Sequence, residues 1–209
     1  MRFTAIPLDI RPYNYQFLED IVAMDKEVRI RMPKKNLLGA RKNPADLDYL
    51  KKYILENAAE TDAFIISLDM LVYGGLFPSR LHNSSVEELK GRLEVLREVK
   101  KINPSCKIYG SNLILRTPKY NSSEEEPEYY GFCGLDIFKY GHFLDKKNRA
   151  VLSLEEEKEF EDIDKRLNKD YLNDFVNRRN KNISVILYAL ELVKEGIIDY
   201  TGVGRRFER

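Results

Sequence analysis

Short apolar runs alternate with amphipathic stretches across residues 3–115, and this alternation limits the folds open to the chain. The runs have the length and composition of strands and occupy Phe3–Leu8, Val28–Met32, Ala63–Leu68 and Lys107–Leu115. The stretches between them carry apolar side chains at helical spacing. Strands that alternate with helices predict a parallel sheet covered by helices.

Capping signals locate the intervening helices. The first is predicted at Tyr15–Met24. Asn43-Pro44 is expected to open the second, with Asn as the N-cap and Pro at the first helical position. Ser85 and Glu88 have the spacing of a capping box and predict a third helix with Val86, Leu89, Leu93 and Leu96 on one face.

Connections between parallel strands are right-handed, so few strand orders remain. We predict an α/β fold of the three-layer αβα type, with a mostly parallel, Rossmann-like sheet of at least four strands in the order 2-1-3-4. A helical segment is expected at the C-terminal end. Residues 1–118 are assigned to this α/β domain.

Residues 119–209 are predicted to be a loop and helical extension that packs on the first domain. An acidic loop spans Tyr120–Glu128, and a last helix is predicted from about Asn182 to Glu195. Ile197–Tyr200 has the character of a fifth strand, but residues 201–209 lack apolar alternation. We therefore expect this extension to be the start of a truncated second half.

Charge and cysteine content exclude several classes of protein. Lys+Arg 35 against Asp+Glu 34 gives a net charge of +1, which removes the electrostatic argument for a nucleic-acid partner. Two cysteines are too few for a disulfide-stapled scaffold. No apolar run approaches the roughly 20 residues of a membrane span, and the N-terminus has the pattern of a strand and not of a signal peptide. We expect a cytoplasmic protein without a membrane partner; nothing in the sequence specifies its oligomeric state.

Polar residues follow the strands that the predicted order places side by side. In open α/β sheets, ligands bind beyond the carboxyl ends of the strands, where the strand order reverses. The candidate residues after strands one, three and four are Asp9, Arg11, Asn14, Asp69, Tyr73, Gly74, Gly75, Ser79, Arg80, Arg116 and Thr117.

Asp9 and Asp69 allow three interpretations. As neighbouring carboxylates they could act as acid and base, because repulsion and burial separate the pKa values of such pairs. With Asn14 they could instead hold a divalent metal such as Mg²⁺. Each could also simply cap a turn or helix.

The arginines and glycines also have two interpretations each. Arg11, Arg80 and Arg116 could clamp an anion, or they could neutralise nearby Asp residues. Gly74-Gly75 could let the backbone approach a ligand or make a tight turn. The spacings of dinucleotide-binding and P-loop motifs are absent from the sequence.

For the other polar residues, a structural role or a position at the surface is the preferred interpretation. His82 and His142 are expected at the surface or in structural contacts. Arg178, Arg179 and Asn180 lie just before the predicted last helix. We expect their side chains to be solvated at this helix junction and not to point into the cleft.

Four segments resemble a known prokaryotic family, the domain of unknown function 4127. They are PLDIRPYN (Pro7–Asn14), SLDMLVYGGLFPSR (Ser67–Arg80), NLILRTPKYNSSEEEPEYYG (Asn112–Gly131) and YLNDFVNRRNKN (Tyr171–Asn182). The resemblance extends to Asp199 and corresponds to the N-terminal half of the family. It implies a signature at Asp9, Arg11, Asn14, Asp69, Tyr73, Gly74, Gly75, Arg80, Arg116, Arg179 and Asn180. It also implies a longer protein, because family members continue where this sequence has TGVGRRFER.

The sequence therefore predicts a hydrolase or lyase that acts on a small polar substrate such as a sugar or sugar acid. Asp9 and Asp69 would be glycosidase-like acid/base groups or metal ligands. Arg80 and Arg116 would hold an anionic or hydroxyl-rich group, and Tyr73 would orient it. The alternatives are a non-catalytic module that binds a small ligand, and an inactive truncated fragment of a longer enzyme.

Overall fold

The computed structural model describes residues 1–205 and the side chains of residues 1–204. Five strands form one sheet in which all neighbours are parallel, in the order β2-β1-β3-β4-β5. The strands are β1 (Arg2–Ile6), β2 (Arg29–Arg31), β3 (Ala63–Ser67), β4 (Lys107–Ile114) and β5 (Tyr200–Arg205). The predicted parallel α/β fold and its order 2-1-3-4 are confirmed, and β5 extends the sheet beyond β4.

Helices alternate with these strands and continue after β4. They are α1 (Gln16–Ala23), α2 (Leu47–Asn57), α3 (Leu68–Tyr73), α4 (Val86–Leu93), α5 (Val95–Ile102), α6 (Tyr130–Arg149), α7 (Leu154–Arg166) and α8 (Lys169–Lys194). The chain divides into two compact units. The first contains Met1–Ile114 and the chain from Lys181 onward, and the second contains Leu115–Asn180.

The core of the first unit lies between the sheet and one layer of helices. Its members include Ile6, Phe64, Ile66 and Ile108 from the strands, Leu50 and Ile54 from α2, Val99 from α5, and Val185, Ala189 and Leu192 from α8. Right-handed connections place α1 on the opposite face, which gives the three layers of the αβα arrangement. This second face is only partly covered, since Ile65 and Tyr109 are 39% and 38% exposed.

The second unit has its own apolar core. It consists of Tyr130, Ile137, Phe143, Leu152, Ile163, Leu167 and Phe175, all buried. The glycine-rich sequence of α6 did not predict a helix. A glycine is needed at position 134, because a Cβ atom on Gly134 would lie 2.3 Å from the ring of Tyr130. The glycine thus makes room for a buried aromatic ring inside the helix.

Three predicted helix boundaries are wrong. Helix α2 begins at Leu47 and not at Pro44, because the amide of Ala45 donates to Gly74 O at 3.0 Å and Asp46 is the N-cap. The predicted helix after Ser85 is divided into α4 and α5 at Glu94, whose amide bonds only three residues back, to Gly91 O.

The third error concerns α8. This helix starts at Lys169, well before the predicted Asn182, so that Arg178, Arg179 and Asn180 lie within it. Asp174 and Arg178 form an ion pair one turn apart, which supports the additional helical turns.

The fifth strand continues further than the sequence suggested. Tyr200–Arg205 pairs with β4 from Tyr109↔Tyr200 to Ile114↔Arg205. The pairing is possible because the backbone of β4 offers a free edge, and backbone hydrogen bonds do not require apolar alternation. Residues 206–209 lie outside the described part of the chain.

Candidate functional site

The carboxyl ends of β1 and β3 lie side by side in the sheet. Ile6, the last residue of β1, is in register with Ile66, and Ser67, the last residue of β3, is in register with Ser111. Asp9 follows β1 and Asp69 follows β3 directly. The strand order reverses at this point, where open α/β sheets bind their ligands.

Asp9 is held in a local network with two other predicted site residues. Its Oδ2 accepts a hydrogen bond from Arg11 Nε at 2.8 Å and forms an ion pair with Arg11 Nη2. Its Oδ1 accepts from the amide of Arg11 at 3.0 Å and from Asn14 Nδ2 at 2.8 Å. The segment thus encloses the carboxylate with its own donors, and the guanidinium of Arg11 also lies over the ring of Tyr13.

The network keeps Asp9 ionised. Burial by itself would raise the pKa of Asp9, but the hydrogen bonds from Arg11 and Asn14 outweigh it and hold the pKa below its ordinary value. Arg11 therefore neutralises Asp9, which is the second of the two interpretations of this arginine.

Asp69 has a different environment. It lies in the first turn of α3, whose N-cap Ser67 accepts a hydrogen bond from the amide of Met70. Its side chain is buried, and Oδ2 accepts a hydrogen bond from the amide of Leu113 at 2.9 Å. Strand β3 ends at Ser67 and the chain continues as α3. The carboxylate of Asp69 therefore accepts the hydrogen bond that the backbone of a further β3 residue would otherwise accept from β4.

Burial controls the ionisation of Asp69. Removal from solvent raises its pKa to about 7, although the amide of Leu113 and the charge of Arg80 act in the opposite direction. The pKa of Asp9 is therefore below the ordinary value for an Asp, and the pKa of Asp69 is above it.

Arg80 is the largest fully buried side chain of the described residues. It ends a short 3-10 turn, Pro78–Arg80, and its guanidinium carbon lies 5.7 Å from the centre of the Phe77 ring. Its charge acts on Asp69, so this predicted pair is within electrostatic range.

Tyr73 belongs to a cluster of polar side chains, with His82 and Asn182, that the sequence did not reveal. Its ring stacks on His82 with centroids 5.0 Å apart, and His82 Nε2 lies 2.7 Å from Asn182 Oδ1. Asn182 Nδ2 donates to Ser79 O at 2.8 Å. Burial and then the charge of Asp69 raise the pKa of Tyr73. Tyr73 therefore remains a neutral hydroxyl-bearing group.

The backbone conformation at positions 74 and 75 favours glycine. Both adopt positive φ angles, 80° and 131°. A Cβ atom on Gly74 would lie 2.7 Å from Ala45 N, whereas one on Gly75 would lie 3.8 Å from Leu8 O. The second contact shows that the backbone after α3 runs beside the segment that leads to Asp9.

Asn112 is a further residue that sequence reasoning missed. It lies in β4, is 2% exposed, and its Oδ1 finds no hydrogen-bond partner among the described residues. The available signal was an Asn in the alternating pattern of β4, on the same face as Ile108 and Gly110, because buried polar groups are normally hydrogen-bonded.

The second unit holds the other predicted site residues. Arg116 Nη2 donates to Tyr120 Oη at 2.9 Å and to Glu125 Oε2 at 3.2 Å. Arg179 Nη2 donates to Arg116 O at 3.0 Å and to Glu126 Oε2 at 3.3 Å.

Arg116 and Arg179 thus come together among carboxylates in this unit. The guanidinium of Arg179 also lies 3.2 Å from the ring centroid of Phe175. Asn180 is exposed on α8.

The described residues limit the metal-binding alternative. Within residues 1–204, no group of three or more His, Cys, Asp or Glu side chains is arranged to hold a metal ion. Both oxygens of Asp9 already accept hydrogen bonds from Arg11. Cys106 and Cys133 are free thiols.

Comparisons with known proteins leave the activity open. No curated protein and no solved structure matches this chain. In the part of the chain that the structure describes, no helix is both long and apolar enough to cross a membrane. One family model, described as "Protein of unknown function (DUF4127)", matches residues 3–205. The predicted resemblance is thereby confirmed, and the chain belongs to this DUF4127 family.

Proposed function

We propose that the chain is an enzyme, a hydrolase or lyase that acts on a small polar substrate such as a sugar or sugar acid. Asp69 carries the proposal. It is a buried carboxyl group at the carboxyl end of a central parallel strand, with a pKa of about 7 and the charge of Arg80 nearby. A carboxyl group with a pKa near the operating pH is suited to general acid-base catalysis.

The two carboxyl groups would have different roles. Pairs of titratable groups whose environments separate their pKa values are typical of acid and base assignments. Asp69, protonated over part of the physiological range, would donate a proton to the leaving group. Asp9, held as a carboxylate by Arg11 and Asn14, would accept hydrogen bonds or a proton.

The surrounding residues would bind the substrate. Arg80 would stabilise negative charge that develops beside Asp69, because a buried guanidinium acts in a low-dielectric environment. Tyr73, kept neutral by burial, would donate or accept a hydrogen bond. The backbone at Gly75 would permit close approach of the substrate.

Substitution of Asp69 tests this proposal. Asp69→Asn keeps the size of the side chain and an acceptor for Leu113, but it cannot transfer a proton. The panel would contain sugar lactones, 4-nitrophenyl glycosides and sugar acids, with product formation followed by NMR. We expect kcat/KM for any substrate found to fall about 10²–10⁴-fold in the variant.

Asp62→Asn is the matched control, because Asp62 lies just before β3, whereas Asp69 lies just after it. The side chain of Asp62 is 41% exposed and paired with Arg2. This control should retain activity. Unchanged turnover in Asp69→Asn would refute the catalytic role.

A non-catalytic binding module is the second candidate. The hydrogen bonds that already engage Asp9 favour it, because they leave this carboxylate fewer lone pairs for chemistry. Binding of a panel member by the wild-type protein, without product even after long incubation, would support this candidate over the enzyme.

A further inference from the structure

Asn112 combines deep burial with an unfulfilled hydrogen-bonding capacity. Asn112 is 2% exposed, and its Oδ1 has no hydrogen-bond partner among residues 1–204. Burying a carbonyl oxygen in this way is unfavourable, so most native structures avoid it. An acceptor retained under this penalty points to a donor supplied from outside the chain.

The position of Asn112 connects it with Asp69. Successive side chains of a strand point to opposite faces, so Asn112 shares the face of Gly110 in β4. On that face a Cβ at Gly110 would lie 3.2 Å from Leu68 Cδ1, which identifies it as the face that carries α3. The next residue, Leu113, donates its amide to Asp69. The acceptor therefore lies at the same strand end as the proposed acid.

Thr201 supplies a second polar atom on this face. It is in register with Gly110, and its Oγ1 is also buried without a hydrogen-bond partner among the described residues. It thus lies diagonally across β4 and β5 from Asn112, about 8 Å away between Cα atoms by standard sheet spacings. A hydroxyl can donate or accept, so Thr201 can complement a ligand hydroxyl.

We propose that Asn112 Oδ1 accepts a hydrogen bond from a hydroxyl group of the ligand and so selects a neutral, hydroxyl-rich compound. This inference rests on the proposed small polar ligand and specifies its chemistry. A carboxylate presents only acceptors at neutral pH and would face another acceptor here, whereas a polyol presents donors. Asn112 is thus a specificity-determining residue.

The experiment compares the wild-type chain with Asn112→Leu and Asn112→Asp. The leucine has a similar size but no acceptor, whereas the aspartate keeps an acceptor oxygen. Ligand-observed NMR would measure binding of xylitol, myo-inositol and D-glucose, with succinate and acetate as anionic probes.

We expect at least one neutral polyol to bind the wild type and to bind Asn112→Leu at least about 10-fold more weakly, the loss of one hydrogen bond. Asn112→Asp should retain binding. Without ligand, the unfolding midpoint of Asn112→Leu should rise by about 2–4 °C, because an unsatisfied buried acceptor is removed.

Three outcomes would overturn the inference. They are absence of binding by all three polyols, preference for the anionic probes, and unchanged polyol binding in Asn112→Leu. A lower midpoint in Asn112→Leu together with unchanged binding would assign Asn112 to an internal structural contact, such as one with buried water.

Asp69→Asn separates this inference from the proposed catalysis. If that variant turns over substrate normally while Asn112→Leu loses polyol binding, the catalytic proposal fails and the specificity role stands. If Asp69→Asn loses turnover while Asn112→Leu still binds polyols normally, the specificity role of Asn112 fails and the catalytic proposal stands.

Discussion

The Oδ2 atom of Asp69 accepts a hydrogen bond from the backbone amide of Leu113 at 2.9 Å. Through this bond, a side chain from the start of α3 continues the pairing of β3 with β4 after β3 has ended at Ser67. The same carboxyl group is buried and has a pKa of about 7. A structural contact and a titratable group therefore coincide at the end of a central strand.

Stability should depend on pH through Asp69. Burial raises its pKa to about 7, from 3.8 for an ordinary Asp. Between these values the folded chain holds a proton that the unfolded chain has lost, so the stabilisation is complete below pH 4 and is lost as the pH rises through 7. Relative to Asp69→Asn, the wild-type free energy of unfolding should fall by up to about 1.4 kcal/mol per pH unit near pH 5–6.

Urea unfolding of both proteins at pH 4, 5, 6, 7 and 8 measures this slope. Asp9→Asn is the control, because the pKa of Asp9 is lowered and the sign is reversed. Its stability difference from the wild type should be constant above pH 5. Parallel pH profiles for wild type and Asp69→Asn would contradict the ionisation assigned to Asp69.

Asp199 should stabilise the attachment of β5. Its carboxylate accepts hydrogen bonds from Lys100 Nζ, Lys107 Nζ and the amide of Ile108, at 2.8, 2.8 and 2.9 Å. Burial opposes ionisation, but these donors lower the pKa to about 2. We expect Asp199→Asn to lower the free energy of unfolding by about 2 kcal/mol at pH 7.

The sign of the Asp199 effect fixes its pH window. A lowered pKa gives stabilisation that is present above pH 4 and disappears as the pH falls towards 2. Urea unfolding of wild type and Asp199→Asn at pH 7, 4 and 2.5 should therefore show a difference that shrinks with acid. A difference that is equal at all three values would indicate loss of packing and not of charge.

Gly74 should not tolerate a side chain. Its φ angle is 80°, and a Cβ would lie 2.7 Å from Ala45 N. Gly74→Ala should therefore destabilise the chain by at least about 2 kcal/mol, from backbone strain and collision together. Gly91→Ala in α4 is the matched control: a Cβ there meets nothing within 4 Å, and the change should stabilise by about 0.5–1 kcal/mol. Thermal unfolding by circular dichroism would compare them, and equal effects would refute the structural role of Gly74.

Arg179 and Glu126 should be energetically coupled in the second unit. Glu126 is 1% exposed and accepts a hydrogen bond from Arg179 Nη2. Arg179→Met would remove the guanidinium beside a buried carboxylate, so we expect a loss of about 3–5 kcal/mol. The double variant Arg179→Met/Glu126→Gln should be more stable than Arg179→Met alone, since the buried charge is also removed. Urea unfolding of all four proteins completes the cycle, and additive effects would show that the pair is not coupled.

Local patterns predicted some elements well and others poorly, for identifiable reasons. The strand Ala63–Ser67 is an uninterrupted apolar run, and the capping box at Ser85 begins α4 as expected. Helix α6 was missed because glycines and aromatic rings obscured its periodicity. Its Gly134 is explained only by the ring of Tyr130 packed against it.

For the candidate site residues, too, the local sequence predicted some features and missed others. Local sequence identified Asp9 and Asp69 because each interrupts or follows an apolar run. It offered Arg11 as a partner of a nearby Asp, but it could not decide how deeply either carboxyl group is buried or identify Leu113 as a donor to Asp69. Arg11 and Asn14 lie close to Asp9 in sequence, whereas Leu113 and Arg80 reach Asp69 only through the folded sheet.

The sequence by itself determined the alternation of strands and helices, the parallel sheet and its order 2-1-3-4, because apolar periodicity and right-handed connections leave few alternatives. Only the tertiary structure decided that Asp9 is a neutralised carboxylate and that Asp69 is buried with a raised pKa. It also decided that Asn112 keeps a buried acceptor at the same strand end. Burial acts on both carboxyl groups and, for Asp69, a long-range donor acts as well; neither burial nor that donor can be read from the residues adjacent along the chain.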